Sequence, residues 1–117
     1  MQMVCFAFRY SDSVNKGQRT REVAEAWIGD AVLTLYARRR ILREEGVVNN
    51  ARLELMTSNH FLSALGEPTG VEAGIGRVYE RDGLDAAFEY IETNIMPMYA
   101  RQEDNRNMKP RAQRGPV

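Results

Sequence analysis

The sequence predicts an all-α domain, and three observations predict it. From Thr20 onward, apolar residues recur at spacings of three and four, the repeat of a helix with one buried face. These stretches are punctuated by residues that start or stop helices: Gly46, Asn50, Gly66, Pro68, the Asp82-Gly83 pair and Pro97. No stretch reads as a convincing strand. With 117 residues, 44% of them hydrophobic, the chain is one domain's worth and has apolar material enough for a core.

The elements follow in order. Residues 1–19 read as a loosely ordered arm, a short apolar run from Met3 to Phe8 followed by the turn-prone Ser11-Asp12-Ser13-Val14-Asn15-Lys16-Gly17. A helical body occupies 20–100. Its first helix runs from Thr20 to Glu45, with Val23, Ala26, Trp27, Ala31, Leu35, Ile41 and Leu42 as its apolar positions. Gly29 sits inside this helix at a cost of about 1 kcal/mol relative to alanine. A glycine there implies either a second backbone passing close by or a break between two helical pieces. The second helix is expected over 50–65, capped by Asn50 and closed by Gly66. The third starts at Pro68 and reaches Arg81, with Val71, Ile75, Val78 and Tyr79 facing inward. The fourth places Leu84, Ala87, Phe88, Ile91 and Ile95 on one face, and Pro97 kinks or ends it. Residues 101–117 offer almost nothing to bury and read as a flexible basic tail.

Composition excludes several classes. The longest apolar runs are a few residues, far short of a membrane span. Neither a charged leader nor a cleavage site is signalled, and the single cysteine, Cys5, has no partner for an internal disulfide, so a reducing cytoplasm is the expected compartment. No CxxC or HExxH spacing exists to hold zinc. The net charge of zero conceals segregation: residues 1–43 carry eight basic and four acidic side chains, 44–100 three and ten, and 101–117 five and two. An acidic body between basic segments suits a protein that holds divalent cations in one place and polyanions in another.

Few residues are equipped for chemistry. His60 is the one histidine, and Ser58 and Ser63 lie too near it on the same stretch to form a nucleophile–base pair. Gly70, Gly74 and Gly76 fall inside a helical pattern and follow no strand, so they are no phosphate-cradling loop. Two carboxylates remain. Asp30 stands among Trp27, Ile28, Ala31 and Val32, and Glu72 among Val71, Ala73 and Ile75, positions where an ionised group calls for a partner, solvent or a metal. Converging from separate helices, they could share a hard divalent ion that keeps several waters and promotes phosphodiester hydrolysis. The plainer alternative is that both favour helix N-termini electrostatically.

Three blocks in one order bear on that choice. Glu25-Ala26-Trp27-Ile28-Gly29-Asp30-Ala31-Val32-Leu33 resembles the signature helix of the ribonuclease III family. Thr57-Ser58-Asn59-His60-Phe61-Leu62 resembles the family's next helix, and Val71-Glu72-Ala73-Gly74-Ile75-Gly76-Arg77-Val78-Tyr79, continued by Asp82-Gly83-Leu84-Asp85-Ala86-Ala87, its second acidic motif. The resemblance spans roughly 20–95. It implies a compact helical bundle of the ribonuclease III endonuclease type that forms a two-fold homodimer. The activity implied is Mg²⁺-dependent cleavage of double-stranded or structured RNA, a ribosomal RNA precursor for instance, with Mn²⁺ as an alternative ion and no small-molecule cofactor. Asp30 and Glu72 would be the catalytic metal ligands.

The chain also departs from that pattern. Of the family's four metal carboxylates two are present, Ala26 and Thr69 standing in place of the others; Val23 replaces a further glutamate and His60 a lysine. The Mini-III branch, which has no double-stranded-RNA-binding domain, is the part of the family most resembled, although the connection from Gly66 to Thr69 is shorter here. Glu67, just before the third helix, could swing into the site and is the best-placed candidate for a third ligand; of the acids near Asp30, Glu22 shares its row along the helix while Glu25 points elsewhere. Arg38, Arg39, Arg40 and Arg43 form the densest basic run and are the expected contacts to RNA phosphates, with Arg101, Arg106, Lys109, Arg111 and Arg114 beyond them. Trp27 is expected in the dimer contact. Two further readings stand beside the enzyme: a catalytically degenerate RNA-binding or scaffold dimer, and an unrelated helical dimer.

Overall fold

A computed structural model describes residues 14–114, with side chains described from 17 to 108. Six helical segments follow one another: α1 (Val14–Glu45), α2 (Asn50–Thr57), α3 (Asn59–Leu62), α4 (Pro68–Asp82), α5 (Leu84–Asn94) and α6 (Met96–Arg114). No strand occurs among the described residues, so the fold is all-α.

Several boundaries differ from expectation, each for a local reason. α1 begins at Val14, so part of the expected arm is helical, and the remainder, residues 1–13, lies outside the described residues. The stretch 50–65 divides at Ser58, whose backbone is extended (φ −71°, ψ 156°) and whose hydroxyl accepts a 3.1 Å hydrogen bond from the Phe61 N–H. A serine able to cap a new helix competes with continuing the old one. The cap of α2 is Asn49 rather than Asn50, its side chain accepting from Arg52 N–H at 3.0 Å. α5 ends at Asn94, just before Pro97 as expected, and Pro97 itself falls in the first turn of α6, where a proline lacks only an N–H that would have no helical acceptor. The expected flexible tail is helical from residue 101 to residue 114. Arginine, glutamine, methionine and alanine support a helix by intrinsic preference, without any apolar stripe to betray it.

The core gathers Leu33, Tyr36, Ala37 and Ile41 of α1 with Met56, Phe61 and Leu62 of α2–α3, Ile75 of α4, Ala87 and Ile91 of α5, and Tyr99 of α6. Val71, Val78, Tyr79, Leu84 and Phe88 pack against it, as their spacing predicts. Two edge-to-face pairs, Tyr36–Phe88 at 5.4 Å and Phe61–Tyr99 at 6.1 Å, join elements distant in sequence. Arg52 ties the turn after α1 to this core: it pairs with Glu44 at 2.5 Å and Glu45 at 2.8 Å and donates to the Tyr99 hydroxyl at 3.3 Å. Arg52→Ala should lower the melting temperature by about 4 °C, measured by circular dichroism, because it strips hydrogen bonds from a mostly enclosed guanidinium. An unchanged melting temperature would show that the network is surface decoration.

Candidate metal centre

α1 and α4 cross backbone to backbone. A Cβ added at Gly29 would overlap the carbonyl oxygen of Glu72 and stand 2.9 Å from the Gly76 nitrogen; one added at Gly76 would overlap the carbonyl oxygen of Glu25. Only hydrogens fit between the helices here. α1 runs through Gly29 without a break, so the glycine marks close approach and not an interruption.

This contact positions the two acids. Asp30 follows Gly29 in α1, Glu72 lies in α4 directly opposite, and their carboxyl groups come within hydrogen-bonding reach. Asp30 is exposed and Glu72 half-buried, so the pair is open to solvent on one side. Burial, together with the hydrogen bond and negative charge of Asp30, pushes the Glu72 carboxyl up to about 7. Two carboxylates held this close repel each other unless a proton or a cation stands between them. Carboxylate oxygens from two facing helices, one of them exposed, are the donor type a small hard cation takes.

Glu67 takes another part. Its carboxylate caps α4, accepting from the Gly70 N–H at 2.9 Å. Among the described residues no three His, Cys, Asp or Glu side chains converge as a metal-binding group, so Glu67 does not complete a triad with Asp30 and Glu72. Glu22 reaches the same place: its Oε2 and the Glu67 Oε1 lie 3.7 and 3.5 Å from where a Gly70 Cβ would be. Glu25 instead receives Arg77 at 2.9 Å. The Glu25–Arg77 pair, joining residues of different helices, had no local signal in the sequence.

The basic run fans out around α1. Arg40 pairs with Glu44 at 3.0 Å, and the Arg39 guanidinium lies 5.7 Å from the Phe88 ring centre. Arg38 borders a cavity of about 130 Å³ with Ile41, Leu42, Val48 and Leu53, while Arg43 is exposed. Three successive helical residues point 100° apart, so the run does not form one patch. Trp27 is 78% exposed and continues a stripe with Val23, Ala31, Leu35 and Leu42, all exposed. Spacing alone assigned these residues to the same apolar set as the buried Ala26 and Ile41; α1 has two apolar faces, and one of them is uncovered.

No family model, curated protein or solved structure matches the chain. The functional reading therefore rests on the site itself. No described helix is long and apolar enough to cross a membrane.

Proposed function

We propose that the protein is a Mg²⁺-dependent endoribonuclease of the ribonuclease III kind, acting in the cytoplasm on double-stranded or structured RNA. The observation that carries this reading is the juxtaposition of Asp30 and Glu72 across the Gly29–Gly76 crossing. Asp30 and Glu72 would hold the divalent cation, which when bound would supply activation of a water and charge neutralisation for phosphodiester hydrolysis. Asp30 and Glu72 supply the ligands, Gly29 and Gly76 fix their separation, and the solvent-open side admits the RNA strand. Mn²⁺ meets the same oxygen donors.

The test incubates purified protein with duplex RNA and Mg²⁺ beside Asp30→Asn and Glu72→Gln. Cleavage lost in both variants supports the enzyme; no cleavage by the parent protein sinks it. The second reading, a degenerate RNA-binding or scaffold dimer, is favoured by one observation: the described residues bring only two carboxylates together. It predicts that duplex RNA is retained without being cut, with affinity falling steeply as salt rises.

Both readings include a homodimer through the uncovered stripe of α1, where Val23, Trp27, Leu35 and Leu42 form an exposed apolar row that a second copy would cover. Trp27→Glu should convert a dimer to a monomer in sedimentation equilibrium while leaving the helical signal intact. A parent protein that already sediments as a monomer removes the dimer from both readings.

A further inference from the structure

The uncovered face of α1 carries a knob at one end and a cavity at the other. Trp27 stands out toward the start of the helix. Toward its end lies the cavity of about 130 Å³, walled by Ile41, Leu42, Val48 and Leu53 with Arg38 at its edge. An apolar cavity of about 150 Å³ admits a benzene ring, so the edge of an indole suits this one. Trp27, Arg38 and Leu42 project within about 60° of one another around α1, which opens knob and cavity on the same side. Within one chain they cannot meet, because about 22 Å of continuous helix separates Trp27 from Leu42.

Around Leu35 the exposed row is symmetric. Trp27 lies eight residues before it and Leu42 seven after, while Val23 lies twelve before and Val47 twelve after. All five are exposed. Ala31, four residues before Leu35, answers Arg38, three after, and its small side chain leaves the guanidinium room beside a neighbouring ring.

We infer that a second copy of this chain binds antiparallel along α1, about a two-fold axis at Leu35, each Trp27 entering the cavity of its partner. This rests on the homodimer of the reading above and assigns its register. Parallel pairing would set cavity on cavity and Arg38 against Arg38, like charges facing each other. A head-to-tail contact would leave a Trp27 and a cavity uncovered at the two ends of each assembly. The antiparallel arrangement covers both at once and brings Arg38 over an indole face, an attractive cation–π contact.

The experiment uses the full chain, whose one tryptophan makes Trp27 its own reporter. In a Cys5→Ser background, Leu35→Cys should give a disulfide-linked dimer on mild oxidation, because the axis brings that position against its own copy. Val23→Cys, about 36 Å from its counterpart in this register, should not. Trp27 should emit as a buried indole where sedimentation shows a dimer, and shift to longer wavelength on dilution to monomer. Val48→Glu, at an exposed position, should raise the dimer dissociation constant about tenfold or more and cause the same shift. Linking through Val23→Cys, no linking through Leu35→Cys, exposed-type emission in the dimer, or a Val48→Glu dimer as tight as the parent each overturns the register and leaves the homodimer standing. A parent protein that stays monomeric overturns both, and buried-type emission from that monomer would assign the cover of Trp27 to its own chain.

Discussion

Glu72→Gln should abolish RNA cleavage and, in the same protein freed of metal, raise the melting temperature. On the proposed mechanism Glu72 is one of two metal ligands, whose removal costs more than that of a residue merely supporting one, so cleavage should fall at least about a hundredfold. The gain in stability has the opposite origin. The Glu72 carboxyl is raised to about 7 in the folded protein. A carboxyl with a raised folded value binds protons more tightly folded than unfolded. Its contribution is therefore most favourable below the unfolded value near 4.5, declines as pH rises from there to about 7, and is constant above. Glutamine removes that decline. Because Glu72 is half-exposed and partly screened, the gain at pH 8 should be about 1–2 kcal/mol, less than the full shift would give, or several degrees in thermal melts. Mg²⁺ should raise the melting temperature of the parent protein and not of the variant. Since the metal displaces the shared proton, its affinity should increase with pH up to about 7 and then level off. A variant that keeps cutting, or a parent protein whose melting ignores Mg²⁺, would remove the pair from the mechanism.

Much of this arrangement was legible in the chain, and the part that was not has a common cause. Asp30 and Glu72 stood out as charges lodged among apolar neighbours, and Gly29 as an expensive residue in a helix, because each breaks a local rule where it stands. α4 and α5 fell close to their expected bounds because Pro68, Gly83 and a single apolar face mark them plainly. What failed depends on three-dimensional company. Val23, Leu35 and Leu42 share the helical spacing of Ala26 and Ile41, and spacing does not tell a covered face from an uncovered one; Trp27, expected at a dimer contact, is exposed. Arg38 to Arg40 are neighbours in sequence and diverge around the helix. Glu67 looked free to swing toward Asp30 and Glu72, but a free N–H at the start of its own helix captures it. The helical continuation past Arg101 carries no apolar stripe at all, and only its content of helix-favouring residues hinted at it.

Gly29→Ala and Gly76→Ala should each unsettle the fold and the site together, although alanine is the better helix former by about 1 kcal/mol. The methyl group at either position meets a backbone carbonyl of the opposite helix, which has no rotamer to turn aside, so the helices must separate. Overpacking of this kind costs about 1–3 kcal/mol and occasionally more, so the propensity gain is outweighed. Gly70→Ala provides the control within α4. Its Cβ would meet only side-chain oxygens at 3.5 and 3.7 Å, ordinary contact distances, so the change should be neutral or mildly stabilising. The two classes should therefore move melting temperature in opposite directions, by about 4–8 °C for the crossing glycines and little for Gly70. Separating α1 from α4 also admits water to Glu72 and parts it from Asp30, which weakens first the burial and then the interaction with Asp30 that raise it. Titration by carboxyl NMR should then find Glu72 nearer its ordinary range in whichever crossing variant still folds, and its response to Mg²⁺ diminished. If Gly29→Ala is as stable as Gly70→Ala and leaves Glu72 near 7, the carboxylates owe their proximity to something other than the glycine crossing, and the account of how this sequence builds its metal centre is wrong at its first step.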